Sequence, residues 1–127
     1  MNKLAYFSSI KESHAALIKE MSAILLGLEP NLEEKVLKMM GSDMLCYYEN
    51  DAFKYGFSSH DRHVSFHNMV MYCYPNVREE IGFNFKKSQL KKSCVNFDTD
   101  IAFAPSNFEA LIIKSKEYPF PKPTDKI

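Results

Sequence analysis

The sequence predicts an α+β domain in which helices pack on one face of an antiparallel sheet of about four to five strands. Apolar residues follow helical spacing near the start of the chain and again near its end, whereas aromatic and β-branched segments alternate in its middle. This segregation of helices from strands is typical of α+β domains. A length of 127 residues suits one domain. We therefore expect a single domain over residues 1–127, with residues 118–127 as an extended, proline-containing tail.

The first predicted helix is amphipathic and begins near residue 9. Ser9 and Glu12 have the spacing of a capping box, in which each side chain satisfies a free backbone N–H group. Pro30 is expected to end the helix. The apolar stripe at helical spacing consists of Ile10, Leu17, Met21, Ile24, Leu25 and Leu28.

A second, shorter helix is predicted directly after Pro30. Asn31 and Glu34 resemble another capping box, and Gly41 is a suitable residue to follow the end of the helix. The side chains that this helix is expected to bury are Leu32, Val36, Leu37 and Met40.

Three strands of a β-meander are predicted between residues 44 and 67. The segments "MLCYY", "AFKYGFS" and "HVSFH" are rich in aromatic and β-branched residues, and the separators "END" and "SHDR" favour turns. Side chains alternate between the two faces of a strand. In the middle strand we therefore expect Phe53, Tyr55 and Phe57 on one face, with Lys54 and Ser58 on the other.

The second half of the chain is predicted to add a brief helix after Pro75, a strand within "KSCVNFD" (92–98) and a final helix. Ser106 and Glu109 have the spacing of a third capping box. The final helix is expected to bury Phe108, Leu111 and Ile112. The tail, "YPFPKPTDKI", is expected to dock only through its aromatic side chains.

Composition narrows the classes of partner and compartment. Sixteen Lys and Arg balance sixteen Asp and Glu, so no net field favours nucleic acid or an anionic membrane. The apolar runs fall far short of the roughly 20 residues of a membrane helix, and the N-terminus lacks the features of a signal peptide. The three cysteines lie far apart without a CxxC motif, so neither a disulfide framework nor a zinc knuckle is indicated. We expect a cytoplasmic protein, monomer or homodimer, with no nucleic-acid or membrane partner.

Three of the four histidines fall within "HDRHVSFHNMVMYC" (60–73), which suggests a metal site at first sight. If residues 63–67 form a strand, His63 and His67 share a face but lie about 13 Å apart. Zinc–nitrogen bonds of about 2 Å cannot bridge that distance. We therefore predict no metal site and no cofactor.

The Lys-rich run "FNFKKSQLKK" (83–92) and Cys94 are two further candidates. Interleaved lysines and aromatics are typical of single-strand nucleic-acid binders, but zero net charge favours a solvated loop. Cys94 lies beside Lys92 and Ser93, and His67 is a candidate base for it, which leaves a thiol enzyme as an alternative. Free cysteines more often serve as small apolar side chains. We therefore assign no catalytic residue.

The segments "VSFHNMVMYCYP" (64–75) and "KKSCVNF" (91–97), with the leading helix and the "AFKYGFS" strand, resemble the YdhG-like family. This family contains small, mostly bacterial domains of unknown function, and the likeness spans roughly residues 4–117. The resemblance implies a compact α+β fold with an antiparallel sheet. One branch of the family is linked to frataxin-like iron delivery, which would need an acidic ridge on the first helix. Here Glu12 and Glu20 alternate with lysines.

Our leading functional prediction is non-enzymatic binding of a small ligand, with anions among the candidates, or of a protein partner. The binding groove would lie at the sheet. We predict hydrogen-bonding roles for His67 and Tyr72, a cationic role for Lys92, and a place beside it for Ser93. The alternative is an iron-binding protein that delivers iron for iron–sulfur assembly. A purely structural or oligomerising module also stays open.

Overall fold

A five-stranded antiparallel sheet with helices packed against one face forms the part of the chain that the structure describes, residues 1–39 and 41–123. The structure is a computed structural model. The helices are α1 (Lys3–Ser9), α2 (Glu12–Leu28), α3 (Met69–Cys73), α4 (Pro75–Ile81) and α5 (Pro105–Lys116), with a short 3-10 helix at Gly82–Asn84. The strands are β1 (Glu33–Met39), β2 (Ser42–Glu49), β3 (Ala52–Ser59), β4 (His63–Asn68) and β5 (Cys94–Asp98).

The strands lie in the sheet in chain order, β1-β2-β3-β4-β5, and all neighbours are antiparallel. Asn50 and Asp51 connect β2 to β3 with φ angles of 51° and 64°, as a two-residue hairpin of type I′ requires. The predicted fold class, the meander and the late strand are confirmed. In the described residues no helix is both long enough and apolar enough to cross a membrane.

The predicted second helix is wrong, because residues Glu33–Met39 form the edge strand β1. Its Glu, Lys, Leu and Met residues favour helices locally, but each residue of β1 pairs with β2, from Glu33 opposite Tyr48 to Met39 opposite Ser42. Gly41 lies in the hairpin between these strands at φ 82° instead of ending a helix. Met40, which that helix was to bury, lies outside the described residues.

The predicted capping boxes do not form, although the helices at either end of the chain are confirmed. Ser9 is the last residue of α1 and its hydroxyl donates to the Tyr6 carbonyl at 2.7 Å. The N-caps of α2 and α5 are Lys11 and Ala104, which make no side-chain cap hydrogen bond. Asn68, at the end of β4, is the side-chain N-cap of α3, because its Oδ1 accepts from the backbone N–H groups of Val70 and Met71. Helix α3 was not predicted from the sequence.

A β-bulge in β3 changes the faces of two predicted side chains. Tyr47 pairs with Tyr55 and Tyr48 pairs with Phe53, so Lys54 has no counterpart on β2. Lys54 therefore points to the helix side, where it reaches Glu29 at the end of α2. Phe53 turns to the open face and covers Gly56, where an added Cβ would come within 2.9 Å of the Phe53 ring.

The core lies between the helices and the sheet, and aromatic rings form its centre. Phe66 stacks on Tyr55 at a centroid distance of 5.4 Å and meets Phe108 of α5 edge to face at 4.9 Å. In the tail, the Tyr118 ring lies 4.7 Å from that of Tyr74. Residues 124–127 of the predicted tail lie outside the described residues. The fully buried large side chains are Tyr6, Tyr47, Tyr55, Phe57, Phe66, Phe108, Ile18, Met21, Leu25, Met44, Leu45 and Met71.

Candidate functional site

Of the four residues predicted to form a binding groove, Lys92 and Tyr72 contact each other, whereas His67 and Ser93 bond to other residues around the ends of β4 and β5. His67 Nε2 lies 2.8 Å from the Ser58 hydroxyl on the open face of the sheet. Lys92 Nζ lies 5.4 Å from the centre of the exposed Tyr72 ring, a cation–π contact. Ser93 accepts the backbone N–H of Asn68 through its carbonyl at 2.7 Å. Anion binding by this group stays a prediction.

Ser58 joins two of the clustered histidines. Its hydroxyl oxygen lies 2.8 Å from Nε2 of His60 and 2.8 Å from Nε2 of His67. A hydroxyl has one proton, so it donates to at most one of these rings and accepts from the other. The His63 ring stacks on that of His60 at 4.8 Å. The histidines thus form a polar network at the β3–β4 end of the sheet, with Ser58 at its centre.

Cys94 and His67 are direct neighbours across β4 and β5, as the thiol-enzyme alternative requires. Burial nevertheless raises the pKa of the Cys94 thiol, and Lys91 nearby offsets only part of that effect. Burial lowers the pKa of His67, and its Nε2 already contacts Ser58. The thiol is therefore protonated at neutral pH, which does not suit a nucleophile.

The fourth histidine, His14 on α2, belongs to the same end of the fold. Its side chain is buried and its Nδ1 lies 2.6 Å from the Ser59 hydroxyl. Burial and the neighbouring Lys11 ammonium lower the pKa of His14. Burial also lowers the pKa of His63 and His67, and the charge of His60 adds to the effect on both. The imidazoles of His14, His63 and His67 are therefore more readily protonated in the unfolded chain than in the fold.

We expect the protein to lose stability as the pH falls from 7.5 to 5.5. With histidine pKa values lowered in the fold, the unfolded chain binds more protons, so stability is full above the usual histidine pKa of 6.5 and declines below it. Urea unfolding at both pH values measures the change. The pKa of Glu80 is lowered from 4.5, mainly by its hydrogen bond with Lys114. Protonation of Glu80 therefore reduces stability only below about pH 4.5, outside the pH range of this experiment. Equal or greater stability at pH 5.5 would contradict the expectation.

A cleft of about 330 Å³ lies on the helix side of the molecule. One wall is the N-terminal half of α2, another is residues 84–89, and the third runs from the end of β5 to the start of α5, residues 97–107. Phe97, near the end of β5, lies between the two other aromatic rings of the cleft, those of Phe85 and Phe103. Its ring meets Phe85 at 6.0 Å and 81°, and Phe103 at 5.8 Å and 77°, both edge to face.

Local hydrogen bonds hold the walls of this cleft. After β5 the chain turns because Asp98 Oδ1 accepts from the backbone N–H of Asp100 at 2.9 Å, and the Asp98 carbonyl accepts from that of Ile101 at 3.1 Å. On the opposite side, Asn107 Nδ2 donates to the Asn84 carbonyl at 3.1 Å, which fixes the start of α5 against residue 84. The cleft is therefore a defined concavity of the fold.

The charged side chains that line the cleft are acidic. Glu20, Asp98 and Asp100 contribute carboxylates, whereas the described lining residues include no Lys, Arg or His. No sequence pattern indicates this site, because its residues are scattered through the chain. The run 83–92 was interpreted as a solvated loop, and its Lys86 and Lys87 are indeed exposed. Phe85, in the same run, forms part of the cleft.

The carboxylates of the first two predicted helices do not share one surface. Glu29 is buried against Lys54, with its Oε1 atom 2.7 Å from Nζ. Glu34 is on β1, not a helix, and accepts from the Tyr47 hydroxyl at 2.6 Å. Glu12 and Glu20 are exposed on α2. Within residues 1–39 and 41–123, no three His, Cys, Asp or Glu side chains are grouped as ligands for a metal ion.

Comparison with solved structures shows a likeness to YdhG of Bacillus subtilis, a protein of the DUF1801 family. The two folds superpose with a TM-score of 0.65 at 14% sequence identity, and the match covers 86% of this chain and 83% of that chain. The resemblance to YdhG-like domains predicted from the sequence is thereby confirmed as a likeness of fold. No protein-family model and no curated protein matches the sequence.

Proposed function

We propose that this domain binds a small organic molecule in the cleft between α2 and residues 97–107, without catalysing a reaction on it. The observation that carries the proposal is the concavity itself. Its volume of about 330 Å³ falls within the range of about 300–1,000 Å³ that is typical of small-molecule sites. Three aromatic rings and a few polar groups line it, which is the composition expected of such a site.

The composition of the cleft favours binding over catalysis. Among its described lining residues, none has a thiol, an imidazole or an amine that could act as a nucleophile or as its paired base. The adjacent Cys94 and His67 lie on the open face of the sheet, whereas Phe97, which lines the cleft, belongs to the core on the helix side. No specific contact favours iron delivery over the binding of an organic ligand.

We expect aromatic probes of fragment size to bind in the cleft with dissociation constants on the order of 1 mM. Benzylamine, benzyl alcohol and benzoate are suitable probes because they share a ring and differ in charge. Amide chemical shifts recorded by NMR during each titration report the site. At least one probe should shift the resonances of residues 97–107 and of Leu17.

Two alanine substitutions provide a test of location. Ala102 lines the cleft and is exposed, so Ala102→Phe should fill part of the cavity and weaken probe binding at least fivefold, roughly 1 kcal/mol. Ala23 is exposed on α2 and is not among the lining residues, so Ala23→Phe should leave binding unchanged. If no probe shifts the cleft resonances, the proposal fails. If benzoate moves Tyr72 and Lys92 instead, the ligand belongs to the anion site predicted from the sequence.

A further inference from the structure

We infer that the ligand of the cleft is a small organic cation, an amine attached to an aromatic or aliphatic body. This inference rests on the proposed function and specifies the class of ligand. Two properties of the lining point to it. One is the presence of carboxylates on two walls without a basic side chain, and the other is the aromatic rings that lie beside them.

The amide side chains of the cleft take part in local hydrogen bonds but do not select the charge of a ligand. Gln89 accepts the Lys86 backbone N–H through Oε1 at 2.9 Å and donates through Nε2 to the Asn96 carbonyl at 3.2 Å. Asn107 Nδ2 donates one of its two N–H groups to the Asn84 carbonyl, which leaves the other N–H and the Oδ1 acceptor. Asn107 therefore offers a ligand both a donor and an acceptor, and the charged groups of the cleft decide between a cation and an anion.

The charges around the cleft favour a cation. Glu20 approaches from α2, and Asp100 from the segment after β5, so carboxylates stand on two different walls. In the described parts of the chain, 1–39 and 41–123, neither forms a salt bridge. No basic side chain among the described lining residues compensates them. A bound ammonium group would be attracted by both carboxylates, whereas a bound anion would be repelled.

The aromatic walls distinguish an organic cation from a metal ion. Phe85, Phe97 and Phe103 line the cleft with aromatic surface. An ammonium group that lies over the face of such a ring is attracted by the cation–π effect. A metal ion would instead need several ligands at one point, and the described residues hold no such group of His, Cys, Asp or Glu. The combination therefore fits an amine whose hydrocarbon part packs against the rings.

The charge series of probes tests the inference. At low ionic strength, we expect benzylamine to bind about fivefold to tenfold more tightly than benzyl alcohol, with benzoate weakest. Glu20→Gln and Asp100→Asn should each weaken benzylamine binding more than benzyl alcohol binding and so remove part of the benzylamine preference. Glu12→Gln is the matched control, because Glu12 is exposed on the same helix and is not a lining residue. Added salt should reduce the preference as well.

The outcomes separate this inference from the proposed function. If all three probes bind the cleft equally, or if benzoate binds best, the cation inference is overturned and ligand binding in the cleft stands. If Glu12→Gln weakens benzylamine as much as Glu20→Gln does, the preference comes from general charge, and the inference is also overturned. If none of the probes shifts the cleft resonances, both proposals fall. Thermal unfolding of each variant shows whether the fold is retained.

Discussion

Replacing Lys54 by methionine is expected to lower the free energy of unfolding by about 3 kcal/mol, the loss typical of breaking a buried ion pair from one side. The Lys54 side chain is only 3% exposed and Glu29 only 8%. Lys54 Nζ donates to Glu29 Oε1 at 2.7 Å and to the more exposed Glu49 at 2.9 Å. Methionine keeps much of the length of the side chain but leaves the Glu29 carboxylate without its cation. The remaining Tyr55 hydroxyl, 2.5 Å from Oε2, cannot neutralise that charge.

Urea unfolding of four proteins isolates the interaction. Glu29→Gln alone leaves Lys54 without its buried partner, and the double variant removes both charges. We expect the double variant to lose at least about 1 kcal/mol less than the sum of the single losses. Lys35→Met is the exposed control, because Lys35 pairs with Glu33 at 3.2 Å with 46% and 57% of the side chains exposed, and it should cost under about 1 kcal/mol. Similar losses for Lys54→Met and Lys35→Met would show that burial gives the Lys54 pair no special weight.

Lys54 also shows how far the sequence predicts this fold. Strand β3 was predicted correctly from its aromatic residues, and strict alternation put Lys54 on the face opposite Tyr55. The bulge opposite Tyr47 and Tyr48 reverses that placement. No local pattern in "AFKYGFS" predicts the bulge. A lysine within an aromatic strand is ordinarily solvent-facing. Here its burial becomes explicable only once Glu29, 25 residues away in the chain, is known to be its partner.

The same limit applies to the candidate sites. Strand geometry predicts that His63 and His67 lie apart along β4, but it could not show that His60 would fold back to share Ser58 with His67. That contact depends on the turn between β3 and β4, whose conformation the residue types do not specify. The cleft could not be predicted from the sequence for a related reason. Glu20 and Phe103 come from distant parts of the chain, and neither belongs to a periodic pattern that marks a site.

Replacing Phe66 by alanine is expected to lower the free energy of unfolding by about 4 kcal/mol, within the range for deleting a buried aromatic ring. Phe66 is fully buried at the centre of the sheet. Its ring lies 5.4 Å from that of Tyr55, 5.2 Å from that of Phe57 and 4.9 Å from that of Phe108. Alanine would remove the ring that joins the sheet to α5 and leave a cavity between them. Urea unfolding at pH 7.5 measures the loss.

Phe83→Ala is the matched control, because the Phe83 side chain is 86% exposed, and it should change stability by less than about 0.5 kcal/mol. A loss for Phe66→Ala as small as that of the control would mean that the ring does not support the core.

The Phe66→Ala variant also has a consequence at the cleft. Phe108 lies next to Phe97 at 6.2 Å and Phe103 at 6.1 Å, so a cavity at Phe66 lets Phe108 shift and loosens two of the aromatic rings that line the cleft. Where Phe66→Ala still folds, it should therefore bind benzylamine more weakly than Phe83→Ala does, although Phe66 does not line the cleft.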